Sequence, residues 1–354
     1  RAHTNIVVFY PQGGVSDVQF LQMATQRGNN VGVFGVKGNF DDCQTAVKAA
    51  FNDPVFNEWL ASKHALRLSS ANSINWGRLL PQIVYYVSAY AQLVATKALG
   101  VGNPLDVCVP TGNFGNILAA WYAREIGVPI ERLYCASNEN RVLTDFINTG
   151  VYDISERSFT LTPSPSMDIL VSSNLERQLF ELTGRRPETI RSWMEELRTR
   201  RRFTVDRDTF AALRAVFLAD WVSNDDSLAT IREVFAKHDY LLDPHTAVAW
   251  EVAERLRTPK GNPVLIVATA HWAKFGRDVY RALENIEAGG DLPDEVAHLS
   301  GTELNDLLVS KTGKGPLPVR LAELDSLPLR FTEAVESSAA GIEGAIGRYC
   351  SDSG

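Results

Sequence analysis

The chain has 354 residues, a formal net charge of −7, 45% hydrophobic residues and 22% charged residues. This length allows two α/β domains, and the composition is typical of a soluble globular protein with a large core. The acidic balance argues against nucleic acid or an anionic membrane as a partner. The sequence has no apolar run long enough to span a bilayer and no signal-peptide pattern.

Cysteine and histidine are too dispersed to indicate a metal site. The four cysteines contain no C-x-x-C pair, and the six histidines form no H-x-x-H grouping. We therefore expect reduced thiols, a cytoplasmic protein and no bound metal.

Residues 1–67 show the βαβα alternation of a parallel sheet with crossover helices. Residues 6–10 and 31–36 are β-prone runs, and residues 41–51 have helical periodicity. Ser16 and Gln19 have the spacing of a capping box that opens a helix through about Ala24. We interpret this region as belonging to a smaller α/β domain.

Residues 68–290 continue the alternation and predict a larger α/β domain. We expect a helix over residues 76–99 that is interrupted at Pro81, and strands at residues 107–109, 133–136 and 263–268. Residues from about 167 to 240 read as a helical insertion, and residues 291–354 as a helical C-terminal tail.

The strongest functional signal is the loop from Thr111 to Asn116, between a predicted strand and a predicted helix. Its glycines let the backbone approach a ligand, and the helix N-terminus adds unpaired N–H groups and partial positive charge. Such a loop is typically a phosphate site. Loops 69–75 and 269–271 carry small polar residues near the same predicted sheet edge. Taken singly, each loop is also explained by turn geometry and helix capping.

Five segments, in order, resemble one known family. They read S-A-N-S-I-N-W at 70–76, P-T-G-N-F-G-N at 110–116, N-E-N at 138–140, D-P-H-T-A-V at 243–248 and T-A-H-W-A-K-F at 269–275. These segments are similar to threonine synthase, and most of all to the longer type found in bacteria and fungi. The similarity runs over about residues 7–283.

The resemblance implies a fold-type II enzyme that depends on pyridoxal 5'-phosphate (PLP), with tryptophan synthase β-like parallel sheets flanked by helices. The family reaction is γ-elimination of phosphate from O-phosphohomoserine and β-addition of water, giving L-threonine. Thr269 would bond the ring nitrogen of PLP. The PLP phosphate would be held by the loop residues Gly112, Asn113, Phe114, Gly115 and Asn116. The candidates for substrate contact are Ser73, Asn75 and Arg78.

One family feature is missing from the sequence. The lysine that forms the Schiff base with PLP lies in an S-F-K-D-like segment, and none of the nine lysines here has that context. The family's S-G-D-T-G loop is missing too. The sequence therefore resembles the C-terminal two-thirds of a threonine synthase, and we expect this chain to be inactive alone. A truncated chain, a separately encoded N-terminal partner and a non-catalytic relative all remain open.

Three functions remain open at this point. The first is threonine synthase; the second is a threonine-synthase-like phospholyase, which releases a keto acid without adding water. The third is a non-catalytic protein that keeps a PLP pocket.

We expect a small-molecule substrate and either a monomer or a homodimer. We also expect the strands at residues 6–10 and 31–36 to lack sheet neighbours and so to promote aggregation.

Overall fold

The computed structural model describes residues 4–352, apart from the side chains of residues 40, 41 and 352. Its strands are β1 (Ile6–Pro11), β2 (Val31–Lys37), β3 (Leu105–Pro110), β4 (Ile130–Ser137), β5 (Val151–Asp153), β6 (Arg202–Thr204), β7 (Phe217–Trp221), β8 (Val264–Ile266) and β9 (Ala334–Glu336). The chain divides into two compact units. The first comprises Arg1–Ser69, Ala273–Arg277 and Leu292–Gly354, and the second comprises Ser70–Trp272 and Asp278–Asp291.

Helices make up most of the remaining structure. They are α1 (Asp17–Ala24), α2 (Phe40–Asn52), α3 (Pro54–His64), α4 (Trp76–Leu79), α5 (Ile83–Ala95), α6 (Gly115–Glu125), α7 (Val142–Thr149), α8 (Leu175–Leu182), α9 (Pro187–Arg200), α10 (Arg207–Val216), α11 (Asn224–His238), α12 (Pro244–Leu256), α13 (Gly276–Leu283), α14 (Asp294–Ala297), α15 (Gly301–Thr312), α16 (Val319–Ala322) and α17 (Ala339–Asp352). Short 3-10 turns occupy Leu80–Gln82, Pro165–Met167, Trp272–Phe275 and Leu324–Ser326.

The first unit contains a parallel sheet in the order β1-β2-β9. Its core joins Phe34 and Val36 of β2 to Leu60 of α3 and Ile342 of α17. The Ser16–Gln19 capping box at α1 is confirmed. Our expectation of a separate tail differs from the structure, because residues 292–354 belong to this unit. Likewise β2 does not lack neighbours, since β9 pairs with it.

The second unit contains a parallel sheet in the order β7-β4-β3-β8. Val107 and Val109 face a large core that includes α6 and α7, whereas Cys108 faces a core built largely from α12. Alternate residues of a strand point to opposite faces, so both faces of the sheet are covered by helices. The α/β fold with parallel sheets flanked by helices is thus confirmed.

Two local predictions for this unit need correction. The expected helix over residues 76–99 is α4, a 3-10 turn that contains Pro81, and α5. The expected helical insertion contains β7, whose residues pair with β4 from Leu133↔Phe217 to Ser137↔Trp221. No turn signal separates β7 from α10, so only pairing with β4 fixes it as a strand.

No helix within residues 4–352 combines the length and the apolar character needed to cross a membrane.

Candidate anion and cofactor site

The 111–116 loop, which we call the anion loop, joins β3 to α6 at the carboxyl edge of the four-stranded sheet. Within the described part of the chain, the backbone N–H groups of residues 112–116 make no hydrogen bond. The helix itself cannot satisfy these groups, because they precede its first intrahelical bond. The loop therefore offers a row of donors at the positive end of the α6 dipole, which is the arrangement an anion requires.

Phe114 forms the turn of this loop. Its backbone is left-handed, with φ 60° and ψ 6°, and no side chain caps α6 there. Left-handed geometry is unfavourable for a residue with a Cβ, so packing must hold it. The Phe114 side chain is fully buried and its ring centroid lies 5.6 Å from that of Phe217 in β7. Core packing thus maintains a strained turn that directs backbone donors outward.

The two glycines of the loop lie directly against other segments of the chain, Gly112 against backbone atoms and Gly115 against a side chain. A Cβ on Gly112 would be 2.8 Å from the carbonyl oxygen of Ser166 and 3.0 Å from Cα of Met167. A Cβ on Gly115 would be 2.6 Å from Cβ of Ser73. These approaches bring the 69–75 loop and the 160–168 segment to the anion loop, and any side chain at either glycine would displace them.

Sequence reasoning missed the segment that orients the loop. Ser172 Oγ donates to the Gly112 carbonyl at 2.9 Å, and Asn174 Nδ2 donates to the Asn113 carbonyl at 2.9 Å. Ser173 Oγ donates to Asn113 Oδ1 at 3.0 Å. In a trans peptide the carbonyl opposes the next N–H, so these bonds aim the N–H groups of Asn113 and Phe114 away from residues 172–174. The dense S-S-N run was the available signal.

A buried polar network holds the 160–168 segment beside Gly112. Asp168 Oδ1 accepts hydrogen bonds from Asn138 Nδ2 at 2.8 Å, Asn140 Nδ2 at 2.9 Å and Thr162 Oγ1 at 2.7 Å. Burial raises the pKa of the Asp168 carboxyl, and hydrogen bonds from Thr162 and Asn138 offset part of that rise. The N-E-N segment at 138–140 therefore supports the anion loop indirectly, by holding the 160–168 segment that contacts Gly112.

His245 of α12 also binds the 160–168 segment. Its Nε2 accepts the N–H of Ser166 at 3.3 Å, and its Nδ1 lies 3.0 Å from Asp243 Oδ1. An accepting Nε2 requires the neutral tautomer with the proton on Nδ1, which then donates to Asp243. Both side chains are buried, so the D-P-H-T-A segment acts here as a structural support.

The candidate residue Asn116 uses its side chain elsewhere. Its Oδ1 accepts from the Tyr86 hydroxyl, and its Nδ2 donates to Gln82 Oε1 at 3.2 Å. These bonds fasten α5 to α6. Any contact of Asn116 with an anion would therefore come from its backbone N–H alone.

The three substrate-contact candidates differ in their surroundings. Ser73 is half-buried against Gly115, and its Oγ accepts from Asn174 Nδ2 at 3.1 Å. Asn75 caps α4 by accepting the Gly77 N–H at 2.8 Å, and it also donates to the Ser70 carbonyl. Arg78 is exposed, and its guanidinium makes no ion pair with the described residues. Ser73 and Arg78 thus keep donors for a ligand, whereas Asn75 is engaged in capping.

Thr269 lies at the same sheet edge as the anion loop. The register pairs Cys108 with Ile266, so Thr111 and Thr269 each lie three residues beyond a paired position. Thr269 is exposed, and β8 is an outer strand of the sheet. Within residues 4–352 its hydroxyl makes no hydrogen bond to the protein, so it is free to serve a ligand.

The lysines of the second unit are Lys97, Lys237 and Lys260, and all three are exposed. Lys97 precedes β3 and Lys260 precedes β8, which places both at the amino edge of the sheet. Lys237 ends α11, which follows β7 and so returns to the amino edge. This unit therefore brings no lysine to the edge that carries the anion loop.

Comparison with known proteins agrees with this geometry. A family model for the C-terminal part of threonine synthase matches residues 246–346, beyond the Leu283 limit of our sequence resemblance. Threonine synthase-like 1 of Macaca fascicularis is 47% identical over 279 residues, 79% of this chain and 37% of that protein. Threonine synthase of Saccharomyces cerevisiae is 38% identical over 321 residues, 85% of this chain and 60% of that protein.

Among solved structures, a PLP-bound threonine synthase from Brucella melitensis has a TM-score of 0.79 and 35% identity. That match covers 99% of this chain and 66% of the Brucella chain. The chain belongs to the threonine synthase family. It spans only part of the length of these relatives: 37% of threonine synthase-like 1, 60% of the yeast threonine synthase and 66% of the Brucella chain.

Proposed function

We propose that this chain is the cofactor-binding portion of a threonine synthase, which converts O-phosphohomoserine and water to L-threonine and phosphate with PLP. The observation that carries the proposal is the row of unpaired backbone N–H groups at residues 112–116, held open by the strained Phe114. A dianionic phosphate monoester suits this donor set, because the backbone N–H groups of residues 112–116 are all donors and the helix dipole adds positive charge.

The chain's own residues would hold PLP at its two ends. The 112–116 amides would bind its phosphate, and the Thr269 hydroxyl would bond its ring nitrogen from the adjoining strand end. PLP, when bound, supplies an electron sink for carbanions formed next to it. A hydroxyl partner does not enforce protonation of the ring nitrogen, which moderates that sink.

Ser73 and Arg78 are the groups that we assign to the substrate. Ser73 lies over the N-terminus of α6 and keeps its hydroxyl hydrogen for an oxygen acceptor. The Arg78 guanidinium is a planar donor that can bind the phosphate or the carboxylate of O-phosphohomoserine in a bidentate manner. We assign Asn75 a supporting role, since its side chain already fixes the turn before Arg78.

A complete enzyme also needs the family's lysine, which we propose comes from a segment that packs on the second unit. The structure describes every residue of α5. Only Tyr86 among them is buried, although the helix is strongly apolar. Val84 and Tyr85 are 61% and 57% exposed, and β8 has an unpaired edge. Exposed apolar helices and open strand edges of this kind are favourable surfaces for another polypeptide segment to pack on.

The second candidate is a threonine-synthase-like phospholyase. It is favoured by the higher identity to threonine synthase-like 1, 47% against 38% for the yeast threonine synthase. This reaction would add no water at Cβ; it would consume one water only in releasing ammonia, and O-phosphohomoserine would give 2-oxobutanoate, ammonia and phosphate. The anion loop serves both reactions equally, so the products must separate them.

Two experiments test the proposal. The first is borohydride reduction of the chain with PLP, with peptide mapping of the lysines and with pyridoxal as the control lacking phosphate. We expect no single stoichiometric label; a unique label suppressed by inorganic phosphate would place the catalytic lysine in this chain. The second is co-expression with the N-terminal third of a threonine synthase, followed by product analysis. Threonine with equimolar phosphate supports the synthase, and 2-oxobutanoate supports the phospholyase.

A further inference from the structure

Asn174 stands immediately before α8, where an asparagine side chain usually caps the helix. Here it makes no capping bond. Its two Nδ2 hydrogens go instead to Ser73 Oγ at 3.1 Å and to the Asn113 carbonyl at 2.9 Å. The residue is fully buried. A buried amide that gives up capping to bridge two loops is a specific link between those loops.

Arg177, one turn along α8, completes the link. Its Nη1 donates to Asn174 Oδ1 at 2.7 Å and to the Ser73 carbonyl at 3.2 Å, and its Nη2 donates to the Ile74 carbonyl. The guanidinium thus fixes the backbone of residues 73–74 and the orientation of the Asn174 amide together. Three donors in one planar group make this a geometrically rigid contact.

The link sets the direction in which the Ser73 hydroxyl can act. Its oxygen already accepts from Asn174, so its hydrogen is available to donate. The contact with Gly115 keeps this hydroxyl at the N-terminus of α6, beside the unpaired N–H groups. An anion on those groups would be an acceptor for this hydrogen.

We propose that Asn174 and Arg177 form a positioning pair. The pair couples binding of a phosphate group at residues 112–116 to the ordering of the loop at residues 69–75, the Ser73 loop. This rests on the proposed function in so far as that loop binds phosphate. Phosphate accepts a hydrogen bond from the Ser73 hydroxyl, and the pair then holds residues 73–74 so that the turn fixed by Asn75 presents Arg78 to substrate. Without the pair, the backbone N–H of Asn174 still donates to the Asn113 carbonyl at 3.1 Å and Ser172 Oγ still donates to the Gly112 carbonyl. The anion loop therefore still binds phosphate, but the Ser73 loop no longer responds.

Hydrogen–deuterium exchange of the 354-residue chain tests the coupling, with inorganic phosphate as the probe. In the wild type, phosphate should slow exchange both at residues 112–118 and at residues 70–79. In Asn174→Ala the slowing should persist at 112–118 and disappear at 70–79. Arg177→Met should have the same effect, and it leaves Asn174 in place if Asn174→Ala fails to fold. Ser73→Ala should weaken phosphate binding about tenfold, as expected for loss of one hydrogen bond to a charged group.

Asn305→Ala is the matched control. Asn305 is equally buried and donates to the Ala273 carbonyl at 2.8 Å, but it belongs to the first unit. It should leave both responses intact. The coupling is disproved if phosphate protects residues 112–118 alone in the wild type, or if residues 70–79 respond unchanged in both variants. Absence of protection at 112–118 in the wild type overturns the proposed function as well, so the two failures are distinguishable.

Discussion

The backbone of Gly115 lies directly against the side chain of Ser73, so close that a Cβ at position 115 would be 2.6 Å from the Ser73 Cβ and 2.7 Å from its Oγ. The first residue of α6 and the 69–75 loop are thereby held in one arrangement. The contact gives the glycine a steric role that its φ, which lies outside the left-handed region, would not reveal.

Gly115→Ala should therefore displace the Ser73 loop and weaken phosphate binding at residues 112–116. Overpacking of this kind costs about 1–3 kcal/mol of the free energy of unfolding. Urea denaturation and phosphate titration by calorimetry measure the two effects. The control is Gly344→Ala in α17, where a Cβ would meet its nearest neighbour at an ordinary 3.5 Å. That substitution should be neutral or slightly stabilising. Equal behaviour of the two variants would refute the steric role.

Tyr86→Phe tests whether the Asn116 side chain serves the helices or the ligand. The Tyr86 hydroxyl is buried and donates to both the carbonyl and Oδ1 of Asn116. Losing it should lower the free energy of unfolding by about 1–2 kcal/mol, because part-buried acceptors lose their donor. Phosphate affinity should change less than twofold, since Asn116 would offer the anion only its backbone N–H. A marked loss of phosphate affinity without loss of stability would show that the Asn116 side chain belongs to the ligand site.

Asp168→Asn tests the buried network through its pH dependence. Burial raises the native pKa of the Asp168 carboxyl above its usual value of 3.8. The native state therefore takes up the proton at a higher pH than the unfolded state does. The contribution of this group to stability is fully present below the unfolded pKa and is lost as the pH rises through the native pKa. The stability advantage of the wild type over Asp168→Asn should accordingly widen as the pH is lowered from neutral toward 3.8, as measured by urea denaturation.

Asp206→Asn is the control of opposite sign. Asp206 caps α10, and the backbone N–H of Thr209 lowers the pKa of its carboxyl. The stabilisation from this carboxylate is present above the unfolded pKa and is lost as the pH falls. The difference in the free energy of unfolding between wild type and Asp206→Asn should therefore narrow on acidification. Parallel pH profiles for the two variants would contradict the assignment of Asp168 as a buried, desolvated carboxylate.

The exposed apolar face of α5 should make the chain self-associate. Val84→Glu combined with Tyr85→Glu places two charges on this face and should shift the sedimentation profile toward the monomer. Ala211→Glu, at an exposed position of α10, adds a charge away from this face and should have little effect. If the double variant sediments like the wild type, some other surface drives association.

The chain's local signals were sufficient for the parts of the fold that depend on neighbours in sequence. The Ser16–Gln19 capping box, the break at Pro81 and the strand–loop–helix around Gly112 and Gly115 could all be predicted, because capping, proline geometry and glycine freedom act over a few residues. The five family-like segments could likewise be found from residue identity alone.

Only the tertiary structure decided what depends on distant pairing. β7 is continuous with α10 in sequence and becomes a strand because β4 supplies its hydrogen bonds. β9 lies some 300 residues from β2 and completes the first sheet. Asn174 could have been taken for an ordinary helix cap, but its amide bridges Asn113 and Ser73, which lie 61 and 101 residues away. Contacts over such separations leave no periodic trace in a single sequence, and they determine how the anion loop is held.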